Sequence, residues 1–417
     1  MNIAEMIARN RTGEWIGLPS FCTANQQVLE AILDFAAENN FPVLIEATCN
    51  QVNQDGGYTG MTPADFASWV AQLASDAGVR KDLLLLGGDH LGPNPWRNEP
   101  IEIAMQKAEK MIRCYVEAGF QKIHLDASMA CGGEPRPSFA EVARRAAQLC
   151  KVAEKYAPDP SKLIYVIGTE VPVPGGETDD MADLQITTPE RLGETIATHK
   201  AAFTDASVEE AWERVVSVVT QPGVDFSHSS VHQFQPEAAK ELVEAINLYQ
   251  RLTFEGHSTD YQPTTCLVQL VKRHVFFLKV GPELTFRFRE AIFSMAEIED
   301  RFCPNTKSKI VEVLDEAMIQ TPEHWMGYYA GSQQEVALQR HFSLSDRIRY
   351  YWQEPTVQDA VNKLFANLST AEVPIGLSTQ FFGGLEFLKD SGGPGNLAAA
   401  HIHKAVSRYY QACGFVA

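Results

Sequence analysis

The chain has 417 residues, 45% of them hydrophobic, and a formal net charge of −18. This is enough apolar material for one large domain with an addition, and no apolar run approaches the roughly 20 residues of a membrane span. Acidic charge spread along the whole chain is a poor match for nucleic acid, which selects basic surfaces, whereas a phosphorylated substrate stays open because a local group of Lys, Arg or amides can hold it.

The first residues, MNIAEMIARNRTGEWIG, alternate charged and apolar residues at helical spacing and lack the apolar segment of a secretory signal, so an N-terminal helix and a cytoplasmic location are expected. A series of short β-rich runs follows, each leading into a helical pattern. Trp15–Ser20 precedes a helix around Gln26–Asn39, and Phe41–Thr48 precedes a Gly-rich loop and a helix opened by Thr62-Pro63. Leu83–His90 leads to Ile101–Ala118, Lys122–Ser128 to Phe139–Tyr156, and Leu163–Val171 to Pro189–Phe203. Val215–Gly223 leads to Pro236–Asn247, Arg251–Ser258 to Pro263–Arg273, and His274–Pro282 to Glu283–Asp300. The runs are nearly continuous in Val, Ile and Leu, as parallel strands buried on both faces require. Eight such units predict a (β/α)8 TIM barrel, over residues 1–300 with the N-terminal helix included. A doubly wound sheet is disfavoured because no G-x-G-x-x-G follows the first strand. From Arg301 to Ala417 the rhythm changes to helices with aromatic clusters, which predicts a helical C-terminal extension packed on the barrel, with a loop at Asp390–Asn396. The eight cysteines are scattered and form no C-x-x-C pair, so neither a disulfide framework nor a zinc ribbon is expected.

In such a barrel the chemistry lies at the C-terminal ends of the strands. Polar residues crowd there. The second strand ends in Glu46, followed by Asn50, Asn53 and the loop around Tyr58; the third ends in Asp89-His90. The fourth carries His124 and Asp126, then Ser128; the fifth ends in Thr169-Glu170. The sixth leads to Gln221 and DFSHSS with His228; the seventh gives Glu255, His257, Ser258, Thr259 and Asp260; the eighth gives Lys279. Each buried and unpaired would cost several kcal/mol (roughly 2–7), but together they can satisfy one another, a metal or a substrate.

His90, Glu170, His257 and His228 are the candidate metal ligands, since imidazole and carboxylate suit a divalent ion, zinc by ligand type. Asp89, Asp126 and Glu46 are the candidate acid–base residues, with Asp89 beside a ligand the first choice for proton transfer. Asn50, Tyr58, Ser128, Gln221, Ser258, Thr259, Asp260, Lys279 and Arg347 are the candidate substrate and phosphate contacts. Lys279 reads as a charge partner or phosphate contact ahead of a Schiff-base lysine, and Arg347 and Arg349 as basic groups at the mouth or as ion-pair partners of Asp346. The glycines of GGDH are expected to let backbone and substrate approach closely. His124, early in its strand and facing away from Leu125, reads as a core histidine; His199, His274, His324, His341, His401 and His403 read as structural or surface groups.

The segments EATCNQVNQDGGYTGMTPADF, GGDHLGPNPW, KIHLDASMACGG, YVIGTEVPVPGGE, EGHSTDYQ, LKVGPELTFRFREAIF and SLSDRIRYYW together resemble the GatZ/KbaZ family, the Z-type subunit of class II D-tagatose-1,6-bisphosphate aldolase. The resemblance spans nearly the whole chain. It implies a barrel akin to the class II zinc aldolases, in which an Asp-His pair after the third strand supplies the catalytic Asp and a metal His. Asp89 and His90 match that pair, and His257 with Ser258-Thr259 matches a later metal His near a phosphate-binding loop. The middle histidine of that set has no counterpart in YVIGTEV, where Glu170 lies nearby, so an altered ligand set is implied. The resemblance implies ketohexose or ketohexose-phosphate substrates of the tagatose and fructose type, acted on by an aldolase or a 4-epimerase through retro-aldol chemistry. It equally implies a non-catalytic role beside a Y-type aldolase subunit; a homo-oligomer is also open. No Walker loop or kinase signature supports a kinase.

Overall fold

The computed structural model describes residues 2–169, 184–302, 307–369, 373–383 and 393–416. Glu170, Val171 and Cys303 lie outside them, as do residues 390–392 of the expected C-terminal loop. Eight parallel strands close into a barrel: β1 (Leu18–Cys22), β2 (Val43–Thr48), β3 (Leu84–Leu91), β4 (Lys122–Leu125), β5 (Ile164–Ile167), β6 (Val215–Thr220), β9 (Thr253–Gly256) and β10 (Val275–Val280). Each strand pairs with its sequence neighbour, and β10 returns to β1 through Leu18↔Phe277 and Ser20↔Lys279. The expected TIM barrel is therefore the fold. Between β6 and β9 the chain adds a short hairpin, β7 (Asp225–Phe226) paired with β8 (Val231–His232), where the sequence suggested only a loop.

Side-chain alternation sorts the strands into two environments. Val43, Ile45, Ala47, Ile123, Leu125, Phe254, Leu278 and Val280 join the large core between barrel and helices. The alternate residues point into the lumen. At its N-terminal end Leu18, Leu44, Leu85, Val216 and Phe277 form an apolar floor, sealed by Ile3, Met6 and Ile7 of the first helix, Ile3–Arg11. Two residues further along β2 and β10 come Glu46 and Lys279, which meet Lys122 of β4 and Glu255 of β9 in the lumen.

The outer helices start where their caps dictate. In Pro63–Asp76 the Thr62 side chain accepts from Asp65 N–H and the Asp65 carboxylate accepts from Thr62 N–H, with Pro63 at the first helical position. Around β1 the wall departs from expectation. The last helix, Pro394–Ala412, packs on Gln26–Asn39, Thr264–Val271 and Pro282–Phe302 and touches β1. Its Tyr410 ring lies 5.7 Å from Phe21 and 5.1 Å from Phe41, and the Tyr410 hydroxyl donates to the Pro42 carbonyl at 3.0 Å. The helix after the eighth strand, Pro282–Phe302, also carries the packing of Ile310–Gln320 and Pro355–Ser369. Among the described residues no helix is long and apolar enough to cross a membrane.

Candidate functional site

At the C-terminal end of the lumen, β2, β3, β4, β9 and β10 each contribute charge. Lys122 lies fully buried between Glu46 Oε1 and Glu255 Oε2, 2.6 Å from each. Lys279 Nζ pairs with Glu46 and stands 2.8 Å from Asp89 Oδ2. Gly87 makes room for this layer: a Cβ there would meet Glu46 Oε1 at 2.5 Å. The first glycine of GGDH therefore accommodates a carboxylate of the next strand rather than a substrate.

Above this layer three imidazoles form a triangle. Ring centroids are 4.8 Å apart for His90 and His257, 5.1 Å for His90 and His124, and 5.2 Å for His124 and His257. His90 adopts a left-handed backbone (φ 48°), unusual for a residue with a side chain. That turn aims its N–H at His124 Nδ1, at 3.2 Å, and brings its own Nδ1 within 2.8 Å of Asp126 Oδ2. Asp126 is in turn held by the Ser128 hydroxyl, which donates to Oδ1 at 2.6 Å. A carboxylate behind an imidazole fixes its tautomer and orientation and directs the other nitrogen forward, the usual support of a metal-binding histidine. His257 Nε2 is 3.0 Å from Glu255 Oε1, and His124 Nδ1 is 3.0 Å from Asp89 Oδ1.

The electrostatics follow from burial and pairing. Burial works against the charged form of Asp89, but His90 and the hydrogen bond with His124 outweigh it and hold the carboxyl well below its usual range. Asp126 is held low in the same way, against burial, by His90 and Ser128. Burial would keep His90 neutral, yet Asp89 and Asp126 raise it to about 9. His257 goes the other way, because burial outweighs Glu255 and Asp89. Burial lowers Lys279 to about 7. It also raises the Cys22 thiol, 3.9 Å from Asp89 Oδ2, to about 12, which removes it as a nucleophile at neutral pH.

Asp89, His124, Glu255 and His257 each present one ligand atom, and these atoms lie within 4.8 Å of one another. Among the described residues His124 Nε2 is buried without a hydrogen-bond partner. In the cluster, the carboxylates of Glu46, Asp89, Asp126 and Glu255 face two ammoniums, Lys122 and Lys279. Four carboxylates against two ammoniums leave a shortfall of positive charge, of which the raised His90 meets a part. A divalent cation supplies that charge, and the mixed nitrogen and oxygen donors suit it; the residues present fit such an ion.

Asp89, His90, His257 and Lys279 open onto a cavity of about 460 Å³ at the barrel mouth. The C-terminal extension forms its far wall with His324, Tyr328, Arg347, Arg349 and Tyr350.

A family model described as "D-tagatose-1,6-bisphosphate aldolase subunit GatZ/KbaZ-like" matches residues 3–414. The chain belongs to this family. The D-tagatose-1,6-bisphosphate aldolase subunit GatZ of Salmonella heidelberg (strain SL476) is 46% identical to it over 418 residues, covering 98% of both chains. The protein of the same description from Klebsiella pneumoniae is 48% identical over 381 residues, 90% of each. A crystal structure described as a probable tagatose 6 phosphate kinase from Sinorhizobium meliloti 1021 superposes with a TM-score of 0.88 at 42% identity, covering 95% of this chain and all of that one.

In this GatZ/KbaZ-like chain the sequence-selected residues fall into three groups. Asn50, Tyr58, Asp89, His90, His257, Ser258, Asp260, Lys279 and Arg347 line the cavity. Glu46, Asp126 and Ser128 stand behind it and act through Lys279 and His90. Asp260, though at the cavity, spends Oδ1 on the N–H groups of Gly281 and Glu283, capping the helix that follows; burial and Glu283 raise its carboxyl to about 7.

Three residues are placed elsewhere. His228, expected as a metal ligand, sits in the turn of the β7–β8 hairpin; its Nδ1 is 3.2 Å from Ser343 Oγ and its Nε2 3.0 Å from the Tyr328 carbonyl. With Leu344 N–H on its own carbonyl, His228 pins the extension to the barrel top instead. Gln221 accepts the N–H groups of Gly223 and Val224 through Oε1 and is a turn residue. Thr259 is fully buried, and its hydroxyl donates to the Lys279 carbonyl at 2.5 Å. Glu170 lies outside the described residues.

Conversely, His124 belongs to the cluster, and Lys122 and Glu255 form its charged base. Their common signal is spacing: Lys122-x-His124 and Glu255-x-His257 put two polar groups on the lumen side of each strand. The observation that His124 opposes Leu125 was sound, but the opposite face is the lumen, not the core.

Proposed function

We propose that this chain is a divalent-metal-dependent enzyme acting on ketohexose phosphates of the tagatose and fructose type by retro-aldol chemistry, as an aldolase or a 4-epimerase. The observation that carries this reading is the buried cluster at the barrel mouth, short of positive charge and open to the cavity. The residues that would hold the ion are Asp89, His124, Glu255 and His257, with His90 beside them; zinc fits the donor types. When bound, such an ion polarises the carbonyl and hydroxyl oxygens of a ketose.

The chain's own groups supply the rest. Asp89, ionised and facing the cavity, accepts the proton of the substrate hydroxyl at Oδ2, the oxygen it shares with Lys279 Nζ. As that proton leaves, the C3–C4 bond breaks and its electron pair runs to the C2 carbonyl oxygen. The Lys279 ammonium stands beside the developing charge and can return a proton to the aldehyde oxygen in the reverse direction. Release of the aldehyde, with the proton held by Asp89 passed to C3 of the enediolate, makes the reaction an aldol cleavage; rotation and re-addition of the aldehyde, with the proton returned to its oxygen, inverts C4. Glu46 and Lys122 hold Lys279 in place, and Asp126 and Ser128 orient His90. A cytoplasmic setting suits these phosphorylated substrates.

The test is turnover by the pure, zinc-loaded full chain, assayed for triose phosphate from tagatose 1,6-bisphosphate and for interconversion of tagatose and fructose phosphates, with bound metal measured by elemental analysis. We expect metal and turnover together, both lost in His257→Ala, and in Asp89→Asn turnover lost with metal binding weakened as well. Metal-loaded protein without either activity would sink the reading. The relatives' description as a subunit favours a second reading, in which the chain stabilises a separate catalytic aldolase chain. Co-purification with such a chain, and a rise in that chain's thermal stability, would then be observed without activity from this one.

A further inference from the structure

The extension carries two guanidiniums into the cavity wall, and among the described residues neither is in an ion pair, though the charge of Asp346 reaches Arg349. Arg347 and Arg349 belong to the turn Arg347–Tyr350. Arg347 is buried; its Nη1 donates to the His324 carbonyl at 2.8 Å, and its Cζ lies 3.0 Å from the centre of the Tyr328 ring. Its Nε is buried and has no hydrogen-bond partner among the described residues. Arg349, half-buried, donates to the Ser345 and Asp346 carbonyls and, at 2.9 Å, to the Tyr350 hydroxyl. Among the described residues no carboxylate oxygen comes within the 4.0 Å of an ion pair with either. Asp346, the partner the sequence suggested, faces Thr285 Oγ1 at 2.6 Å and Arg289 at 3.9 Å. The other buried arginines have acids: Arg145 has Glu134 and Glu141, and Arg289 has Asp346.

The positive field is felt next door. Burial pushes the Tyr350 phenol up, but Arg349 and Arg347 outweigh it and hold it below its ordinary value. A buried cation with an unused donor is expensive unless something acidic meets it. Here both guanidiniums line the cavity.

A run of contacts along the same wall links this pair to the reacting end. Cys22 Sγ is 3.9 Å from Asp89 Oδ2 and 3.4 Å from Gln51 Oε1; Gln51 and Tyr58 line the cavity together; the Tyr58 and Tyr350 rings are 4.7 Å apart. The guanidinium pair is thus several side chains from the cluster, a separation that suits the two ends of one extended substrate.

We propose that Arg347 and Arg349 form an anion subsite that holds a terminal phosphate of an open-chain sugar phosphate, at the end remote from Asp89 and His257. The proposal rests on the retro-aldol reading of the barrel site and adds the feature that selects phosphorylated over free sugars. Two guanidiniums match the charge of about −2 that a phosphomonoester carries near neutrality, and their planar donors fit its oxygens in pairs. A monocarboxylate would neutralise only one of them.

The test is binding of inorganic phosphate to the full chain by titration calorimetry, with the metal removed and again with zinc loaded. Arg347→Met and Arg349→Met should each weaken phosphate binding about tenfold or more, and Arg347→Lys less, with zinc content unchanged. His257→Ala should lose zinc and keep its phosphate affinity in the metal-free state. On the native chain, phosphate should protect Arg347 and Arg349 from phenylglyoxal, read by peptide mass, which needs no variant to fold. Equal phosphate affinity in all variants, or equal labelling with and without phosphate, overturns the subsite. Acetate bound as tightly as phosphate at the same arginines overturns its assignment to phosphate. If these results hold while the loaded protein shows no retro-aldol turnover, the reading of the barrel site fails and the anion subsite stands.

Discussion

The two ends of the barrel lumen are built from the same strands two residues apart. On β2, Leu44 faces the floor and Glu46 the charged layer; on β10, Phe277 faces the floor and Lys279 the site; on β3, Leu85 is followed on the same face by Gly87 and Asp89. The floor is held by apolar burial and closed by the first helix. The mouth is held by ion pairs that leave a deficit of positive charge and an open side. Stability and chemistry are thus separated along one axis by a single strand alternation, and each end can be perturbed without the other.

Removing a charge from the mouth should cost most. Lys122→Met strands Glu46 and Glu255, both fully buried, and is expected to destabilise the chain by about 3–5 kcal/mol in urea unfolding. A loss below about 1 kcal/mol would mean that Lys279 and the histidines already neutralise both acids, and the contrast between the two ends would weaken. At the floor, Leu44→Ala opens a void and is expected to cost about 3 kcal/mol while leaving bound zinc per chain unchanged. Loss of metal with that change would show that the two ends are mechanically coupled.

A third prediction compares the mouth with a histidine that has no acid beside it. Among the described residues His199, in the helix Pro189–Asp205, bonds only the Thr195 carbonyl through Nδ1, at 2.8 Å, and its Nε2 is buried without a partner. Burial lowers it to about 4 from an ordinary 6.5. The unfolded chain then binds a proton that the folded one refuses, so this residue's contribution is intact above pH 6.5 and drains away as the pH falls towards 4. The loss is about 3 kcal/mol by pH 4 and about 2 kcal/mol near pH 5. Urea midpoints of His199→Leu should therefore fall less steeply on acidification than those of the native chain; parallel curves would refute the assignment.

Much of the architecture was legible in the sequence. Continuous apolar runs with helical patterns between them identified all eight barrel strands, and the polar ends of those runs pointed to the mouth. Asp89, His90 and His257 stood out because they end strands and face the cavity. His124 and Glu255 stand with the polar strand ends, yet the first reads as a core histidine and the second is given no role, and Lys122 is passed over, because within a strand a polar residue reads as an isolated exception until the lumen is seen to collect them. His228 misled for the opposite reason: a loop after a strand is a reasonable place for a ligand, but this one forms a hairpin whose turn is bonded to the extension. The terminal helix was legible as a helix, though not as part of the wall around β1, since local periodicity says which face is apolar and not what covers it.

By itself the sequence determined the period of its elements, the barrel they make and the kind of chemistry its strand ends can support, because these depend on local patterns of two and 3.6 residues. Only the tertiary structure decided which charges meet. Glu46 and Lys279 are 233 residues apart, and Arg347 comes from outside the strands altogether. Whether such groups neutralise one another or wait for a metal and a phosphate depends on angstrom-scale distances in a buried, poorly screened interior, and closing the barrel is what sets them.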